Sequence, residues 1–246
     1  MRPGVLLLGA CAWCSCLPAS IPMAQTREAS PTNAKCLVML LPGAGDHDST
    51  FREQGFVGDL LASGASVEVI ALDATLGYYM RGIAAERIEA DVAVPARERV
   101  GDKPVWLIGA SMGGFGTMHY ASQYGHVDGL LAIAPFLGDV SLADEIKAAG
   151  GLKAWPGDPK AQATKDNYQR QMWSWLHRVV TGEEKGPALY LGSGDEDTRG
   201  LGGQLFADAL PADHVFRSPG GHDWAPWRGV LKQFLATPAF RDQCMP

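Results

Sequence analysis

The sequence predicts an α/β fold, a mostly parallel central sheet flanked by helices. Three observations predict it. Short apolar runs recur along the chain and stop at proline, glycine or aspartate, as strands buried on both faces do. Segments with helical spacing separate these runs, so strands and helices alternate. The residues able to do polar chemistry gather just after the runs, where sheets of this class bind ligands.

The elements follow in order. Cys36–Leu41 is a continuous apolar run ending at Pro42-Gly43, and residues 51–63 follow with helical spacing. Val67–Leu72 is the next strand. Residues 83–100 read as a helix, with Ile83, Ala84, Ile88 and Val92 on one face and charges opposite, and Pro95 as a bend. Strand 105–108 leads through a glycine-rich turn into a helix ending near Tyr124, and strand 130–134 closes at Pro135. The pattern then changes. Helical segments 142–149 and 166–180, separated by Gly150-Gly151 and Pro156-Gly157-Asp158-Pro159, form a small helical insertion at about 138–186. Strand 188–192, helix 201–210, strand 214–217 and helix 226–235 complete the chain, without internal repeats.

The chain has 246 residues, enough for one α/β domain with a large core. Apolar residues make up 46% and charged residues 20%, an ordinary globular balance. A net charge of −6 argues against a nucleic acid or an anionic membrane as partner, since both favour a basic face.

The N-terminus reads as an export signal over residues 1–24. Arg2 supplies one positive charge, residues 5–17 are apolar but too few to span a membrane, and small and proline residues run on to Ala24. Ala19 and Ala24 are both candidate cleavage points, each with a poor residue two places upstream. Leu8-Gly9-Ala10-Cys11 also resembles a lipoprotein box, so a membrane enters only through lipidation at Cys11. Polar residues 25–35, with Pro31 and Asn33, read as a linker, which leaves 36–246 as the folded domain. Cleavage at either alanine leaves only Cys36 and Cys244. In an oxidising compartment they can form one bridge between the first core strand and the C-terminal tail; the alternative is two separate thiols. The exported chain is thus expected in the periplasm or outside the cell.

Gly109-Ala110-Ser111-Met112-Gly113 fits G-x-S-x-G. The pattern is common by chance, but here a strand leads in and a helix leads out, the geometry that exposes a strained serine at a turn's apex. Bulk at either glycine would collide with the neighbouring strand and helix. A serine hydroxyl needs a general base, and that base needs an orienting group. Of six histidines, only His222 lies in a loop between the last strand and the last helix. The acid belongs in a loop between Ser111 and His222. Asp195 comes first after its strand and is the choice; Asp197 is the near alternative and Asp139 the third, while an acidic solvated turn is the plain reading of the cluster. Backbone N–H groups of Met112 and of Ala44, in the loop Pro42-Gly43-Ala44-Gly45, are candidates for an oxyanion hole. That loop has neither G-K-[ST] nor G-x-G-x-x-G, so a phosphate loop is a poor reading. No metal-ligand spacing is present in the mature chain, and no cofactor is called for.

Together these residues resemble the α/β-hydrolase superfamily. His222-Asp223-Trp224-Ala225-Pro226-Trp227 is similar to the H-x-W-x-x-W ending of esterase-D-like esterases, and the resemblance as a whole covers about residues 36–236. Pro42-Gly43 departs from the His-Gly of many members. The resemblance implies the α/β-hydrolase fold and hydrolysis of small or short-chain carboxylic esters by Ser111, His222 and Asp195 through an acyl-enzyme. The rival expectations are acyl transfer to a sugar or alcohol and a non-catalytic binding protein. A small-molecule ester is the expected partner.

Overall fold

The computed structural model describes residues 19–164, 167–198 and 200–246. Its seven strands are β1 (Gln25–Ala29), β2 (Cys36–Leu41), β3 (Val67–Leu72), β4 (Val105–Ala110), β5 (Gly129–Ile133), β6 (Ala188–Gly194) and β7 (Val215–Ser218). They form one sheet in the order β1-β3-β2-β4-β5-β6-β7, parallel except for β1, which runs antiparallel to β3. Chain order runs outward from β2 in opposite directions, so the crevice between β2 and β4 is the switch point at which such sheets bind ligands. The expected α/β-hydrolase fold is what the chain adopts.

Helices cover both faces. Alternation along each strand sends Leu37, Met39 and Leu41 of β2 to one core and Cys36, Val38 and Leu40 to the other, every one of them fully buried. The first core packs beneath α3 (Leu76–Met80), α4 (Ala84–Ile88), α5 (Val94–Val100), α6 (Met112–Ala121), α7 (Val140–Ala148), α8 (Tyr168–Thr181) and α9 (Gly200–Ala209). The second packs beneath α1 (Thr50–Glu53), α2 (Phe56–Ala62), α10 (Trp224–Leu235) and α11 (Pro238–Cys244).

Three details differ from the sequence reading or add to it. The expected linker is partly folded: Gln25–Ala29 is the edge strand β1, with a register shift between Arg27 and Ala29. Gln25 and Arg27 face solvent, while Glu28 tucks in to pair with Arg52 at 2.8 Å, and this polar make-up hides the strand among apolar runs. Where the sequence reading expects a bend, Pro95 sits in the first turn of α5. α4 passes into α5 through a π-turn at Glu89–Ala93. Pro95 cannot donate to the Asp91 carbonyl, and that carbonyl takes a hydrogen bond from Gln25 Nε2 instead, at 3.0 Å. Cys36 and Cys244 form a disulfide across a sequence separation of 208 residues. The apolar stretch 5–17 lies outside the described residues, but of residues 19–24 Met23 is buried in the core and Ala19 packs against it, while Ile21 is exposed.

Candidate active site

Ser111 stands at the end of the central strand β4, at the N-terminus of α6. Its backbone sits at φ 53° and ψ −112°, which a residue with a Cβ adopts only when its surroundings impose it. Three hydrogen bonds do so. Ser111 N–H donates to the Ile133 carbonyl (2.8 Å), and the Ser111 carbonyl accepts from Phe115 (3.2 Å) and Phe136 (3.1 Å). The flanking glycines are sterically required. A Cβ on Gly109 would overlap the Gly113 carbonyl, and one on Gly113 would overlap the Leu41 carbonyl.

Opposite Ser111 lies the loop carrying His222. The His222 Nδ1 pairs with Asp197 Oδ2 at 2.9 Å. Asp195, the sequence's first choice, is not the partner. It is exposed, and its N–H donates to the Ser218 carbonyl at 2.9 Å, while Glu196 N–H donates to the Gly220 carbonyl at 3.0 Å. These bonds prolong the β6–β7 pairing past its last strand pair, Gly194–Ser218. The chain turns only at Asp197, whose N–H returns to the Gly194 carbonyl (3.3 Å). Asp139 is also accounted for: it caps α7, accepting from Ser141 N–H at 2.9 Å.

The His222 loop is fixed from behind. Asp223 caps α10. Trp227 meets the His222 ring edge to face at 4.9 Å, and Trp224 packs at 5.2 Å on both Trp227 and Phe51. The Trp224 side chain also reaches the Asp46 carboxyl, whose pKa is raised, burial outweighing this contact. Asp46 belongs to the loop after β2, so one tryptophan braces both that loop and the histidine. Sequence reading missed this link, because Asp46 and Trp224 are far apart in the chain.

The loop Pro42-Gly43-Ala44-Gly45 lies against the serine: a Cβ placed on Gly43 would sit 3.6 Å from Ser111 Cβ. Ala44 follows Gly43 in that loop. Met112 is the first residue of α6, where backbone N–H groups lack partners within the helix and the helix dipole is positive. A second histidine–aspartate pair, His47 Nδ1 to Asp73 Oδ1 at 2.8 Å, ties the end of the same loop region to the end of β3. Elsewhere His177 bonds the Leu152 carbonyl, and His214 bonds the Leu189 carbonyl and stacks on Tyr190.

Ser111, Asp197 and His222 line one cavity of about 270 Å³. Phe136, Leu137, Val140 and Leu201 form its apolar wall. The helical insertion shapes that wall from outside. Trp173 Nε1 donates to the Leu137 carbonyl (3.2 Å), and Gln169 Oε1 accepts from Asp139 N–H (2.7 Å). Trp155, Trp173 and Trp175 are themselves buried as packing residues, whereas Phe136 lines the cavity.

A serine on a strained strand-to-helix turn, at the switch point of a doubly wound sheet, places the protein among hydrolases built on this topology. The chain belongs to the alpha/beta hydrolase family, whose model matches residues 38–243. Solved structures agree in fold. An S-formylglutathione hydrolase from Staphylococcus aureus superposes with a TM-score of 0.57 at 17% identity, covering 87% of this chain and 94% of that one. The fluorophosphonate-binding serine hydrolase F of the same organism gives 0.56 at 17% identity, over 85% and 84%. A structure from a study of Nitrososphaera gargenis carboxylesterases gives 0.53 at 17% identity, over 89% and 96%. No curated protein sequence matches the chain.

Proposed function

We propose that this protein is a serine hydrolase that cleaves carboxylic esters with small or short acyl groups. The observation that carries the reading is the convergence of Ser111, His222 and Asp197 on one cavity, with His222 and Asp197 2.9 Å apart. Ser111 Oγ attacks the ester carbonyl and passes its proton to His222. Asp197 holds the imidazole in the tautomer that leaves Nε2 free to accept, and stabilises the imidazolium once formed. Backbone N–H groups of Met112 and Ala44 receive the developing oxyanion. Collapse expels the alcohol, which takes the proton from His222. Water then repeats the sequence on the acyl-enzyme and regenerates Ser111.

Two features support hydrolysis of small esters. The His222 side chain is 48% exposed, so bulk water reaches the base that must activate it. The cavity, at about 270 Å³, suits a compact acyl group, with its apolar part against Phe136 and Leu137. The S-formylglutathione hydrolase and the carboxylesterase study named above keep to related chemistry on the same fold. The enzyme works outside the cytoplasm on this reading, and the buried Cys36–Cys244 bridge supports an oxidising compartment.

Ser111→Ala is expected to abolish turnover of p-nitrophenyl acetate while the circular dichroism spectrum stays unchanged. A fluorophosphonate probe should label the wild type at Ser111 and fail to label His222→Ala. Ester hydrolysis at the wild-type rate by Ser111→Ala would remove the assignment.

A further inference from the structure

We propose that the exported precursor is cut at or before the Ala19–Ser20 bond, so that Ser20–Ala24 stays in the mature enzyme as a strap holding the helices behind the active site. The proposal rests on the export reading given above. Sequence alone leaves Ala19 and Ala24 equal as processing points, since Leu17 and Pro22 are equally poor two places upstream. The fold separates them.

Ser20, Met23 and Ala24 anchor the strap, while Ile21 and Pro22 between them face solvent. The Ser20 carbonyl accepts from the Tyr78 hydroxyl at 2.7 Å, and Tyr78 is only 1% exposed. Met23 is 2% exposed within the core that contains Ile88 and Val92. Its N–H donates to Asp91 Oδ2 at 2.8 Å. The Ala24 carbonyl accepts from Asp73 N–H at 2.9 Å, extending the β1–β3 ladder by one step. A chain beginning at Gln25 would lack all of these. It would leave a void where Met23 packs and strip acceptors from Tyr78 and Asp73, both in or beside α3.

The position of α3 links the strap to the reaction. Tyr78 follows the strap on one side of α3. On the next residue, the Tyr79 hydroxyl occupies the space that Gly116 leaves open on α6. α6 begins at Met112 and carries the backbone that presents Ser111. The strap therefore supports the layer that supports the nucleophile's helix. It contributes no group to the cavity.

The full chain should be produced in a Gram-negative host, recovered from the periplasm and membrane fractions, and read by intact mass and N-terminal sequencing. A mature chain starting at Ser20 or upstream, including a lipidated Cys11, supports the proposal. One starting at Ile21 or later overturns it. An unprocessed chain confined to the cytoplasm retires the export reading, and the strap is then judged by the second arm. In that arm, chains starting at Ser20 and at Gln25 are made without a leader, refolded under the same oxidising conditions and melted side by side. The Gln25 chain should melt at least ~5 °C lower, a shift of the size that a few lost core interactions give in a domain of this length. It should also lose p-nitrophenyl acetate hydrolysis at a correspondingly lower temperature. If the Gln25 chain does not fold, Met23→Ala in the Ser20 chain replaces it and should show a smaller drop. Equal melting of the paired chains overturns the proposal.

Discussion

Two residues separate the aspartate nearest the end of β6 from the one that meets His222, and backbone bonding accounts for the difference. An apolar-run search ends the strand at Gly192, and Asp195 is then the first acid of the following loop. The pairing continues beyond that point through Ser193, Gly194 and the N–H groups of Asp195 and Glu196. These bonds involve main chain only, so no side-chain pattern announces them. Gly194 is part of the same arrangement, because a Cβ there would overlap the Gly220 and Gly221 carbonyls. The turn that holds Ser111 between its glycines and the loop that holds His222 were legible, since each needs a particular residue type at a particular place. The aspartate that pairs with His222 was legible only as a cluster. Asp197→Asn should lower kcat for p-nitrophenyl acetate by roughly 10⁴, the size expected when the base is left in the wrong tautomer. Asp195→Asn should change it by less than about threefold, as a surface substitution does. A large loss in Asp195→Asn with none in Asp197→Asn would reverse the two roles.

At the scale of elements, α6 carries the tightest constraints. Gly113 lies so close to the Leu41 carbonyl that backbone, not a flexible side chain, must yield to any Cβ. Gly113→Ala should therefore cost more than about 4 kcal/mol or prevent folding, the range reserved for overpacking that cannot relax. Gly58, exposed within α2 with nothing near its missing Cβ, makes the contrast. Gly58→Ala should raise stability by about 0.5–1 kcal/mol in urea unfolding, because alanine loses less entropy in a helix. Further along α6, His119 packs on Phe115 at 5.3 Å and on Tyr168 of α8 at 5.6 Å. Burial lowers its pKa from 6.5 to about 4. The folded state thus resists a proton that the unfolded chain accepts. Stability contributed by neutral His119 is fully present above pH 6.5, falls as pH drops from 6.5 to about 4, and changes no further below that. His119→Phe should flatten the pH dependence of unfolding free energy in that window, by at most one proton's worth of slope. An unchanged slope would show that the ring is protonated without penalty in the folded protein. The edge strand β1 and the π-turn before Pro95 were not legible at this scale. Both depend on partners distant in sequence: Leu72, Ala71 and Ile70 for β1, and Gln25 for the freed Asp91 carbonyl.

At the scale of the whole molecule, sheet order gathers the site and one covalent bond closes the chain around it. β2 contributes Gly43 and Ala44 beyond its end, β4 contributes Ser111, and β6 and β7 lead to Asp197 and His222. The crevice therefore depends on all the central strands keeping register. α10 and α11 cover the opposite face through Trp106, which is fully buried against Phe234 and Phe240 and donates to Gln243 Oε1 at 3.0 Å. The Cys36–Cys244 bridge fastens the last residue of α11 to the first residue of β2, and the Cys244 carbonyl accepts from Ser66 N–H at 2.8 Å. Both sulfurs belong to residues with no exposed surface, so small thiols reach the bond only after α11 lifts away. A loop this long removes a large share of the unfolded chain's freedom; the chain-entropy model sets a ceiling of about 5 kcal/mol, and native disulfides commonly deliver about 2–4. In a domain of this length that corresponds to a fall in Tm of roughly 5–15 °C on removing the bridge. The double variant Cys36→Ala/Cys244→Ala should show that fall by calorimetry while kcat for p-nitrophenyl acetate at 25 °C stays within about twofold, because the bridge lies at the far end of β2 from Gly43. Dithiothreitol should reproduce the shift in the wild type only near the temperature at which α11 opens, and should leave the double variant unaffected. A double variant that melts with the wild type would mean that α11 is held by Trp106, Phe240 and Gln243 alone.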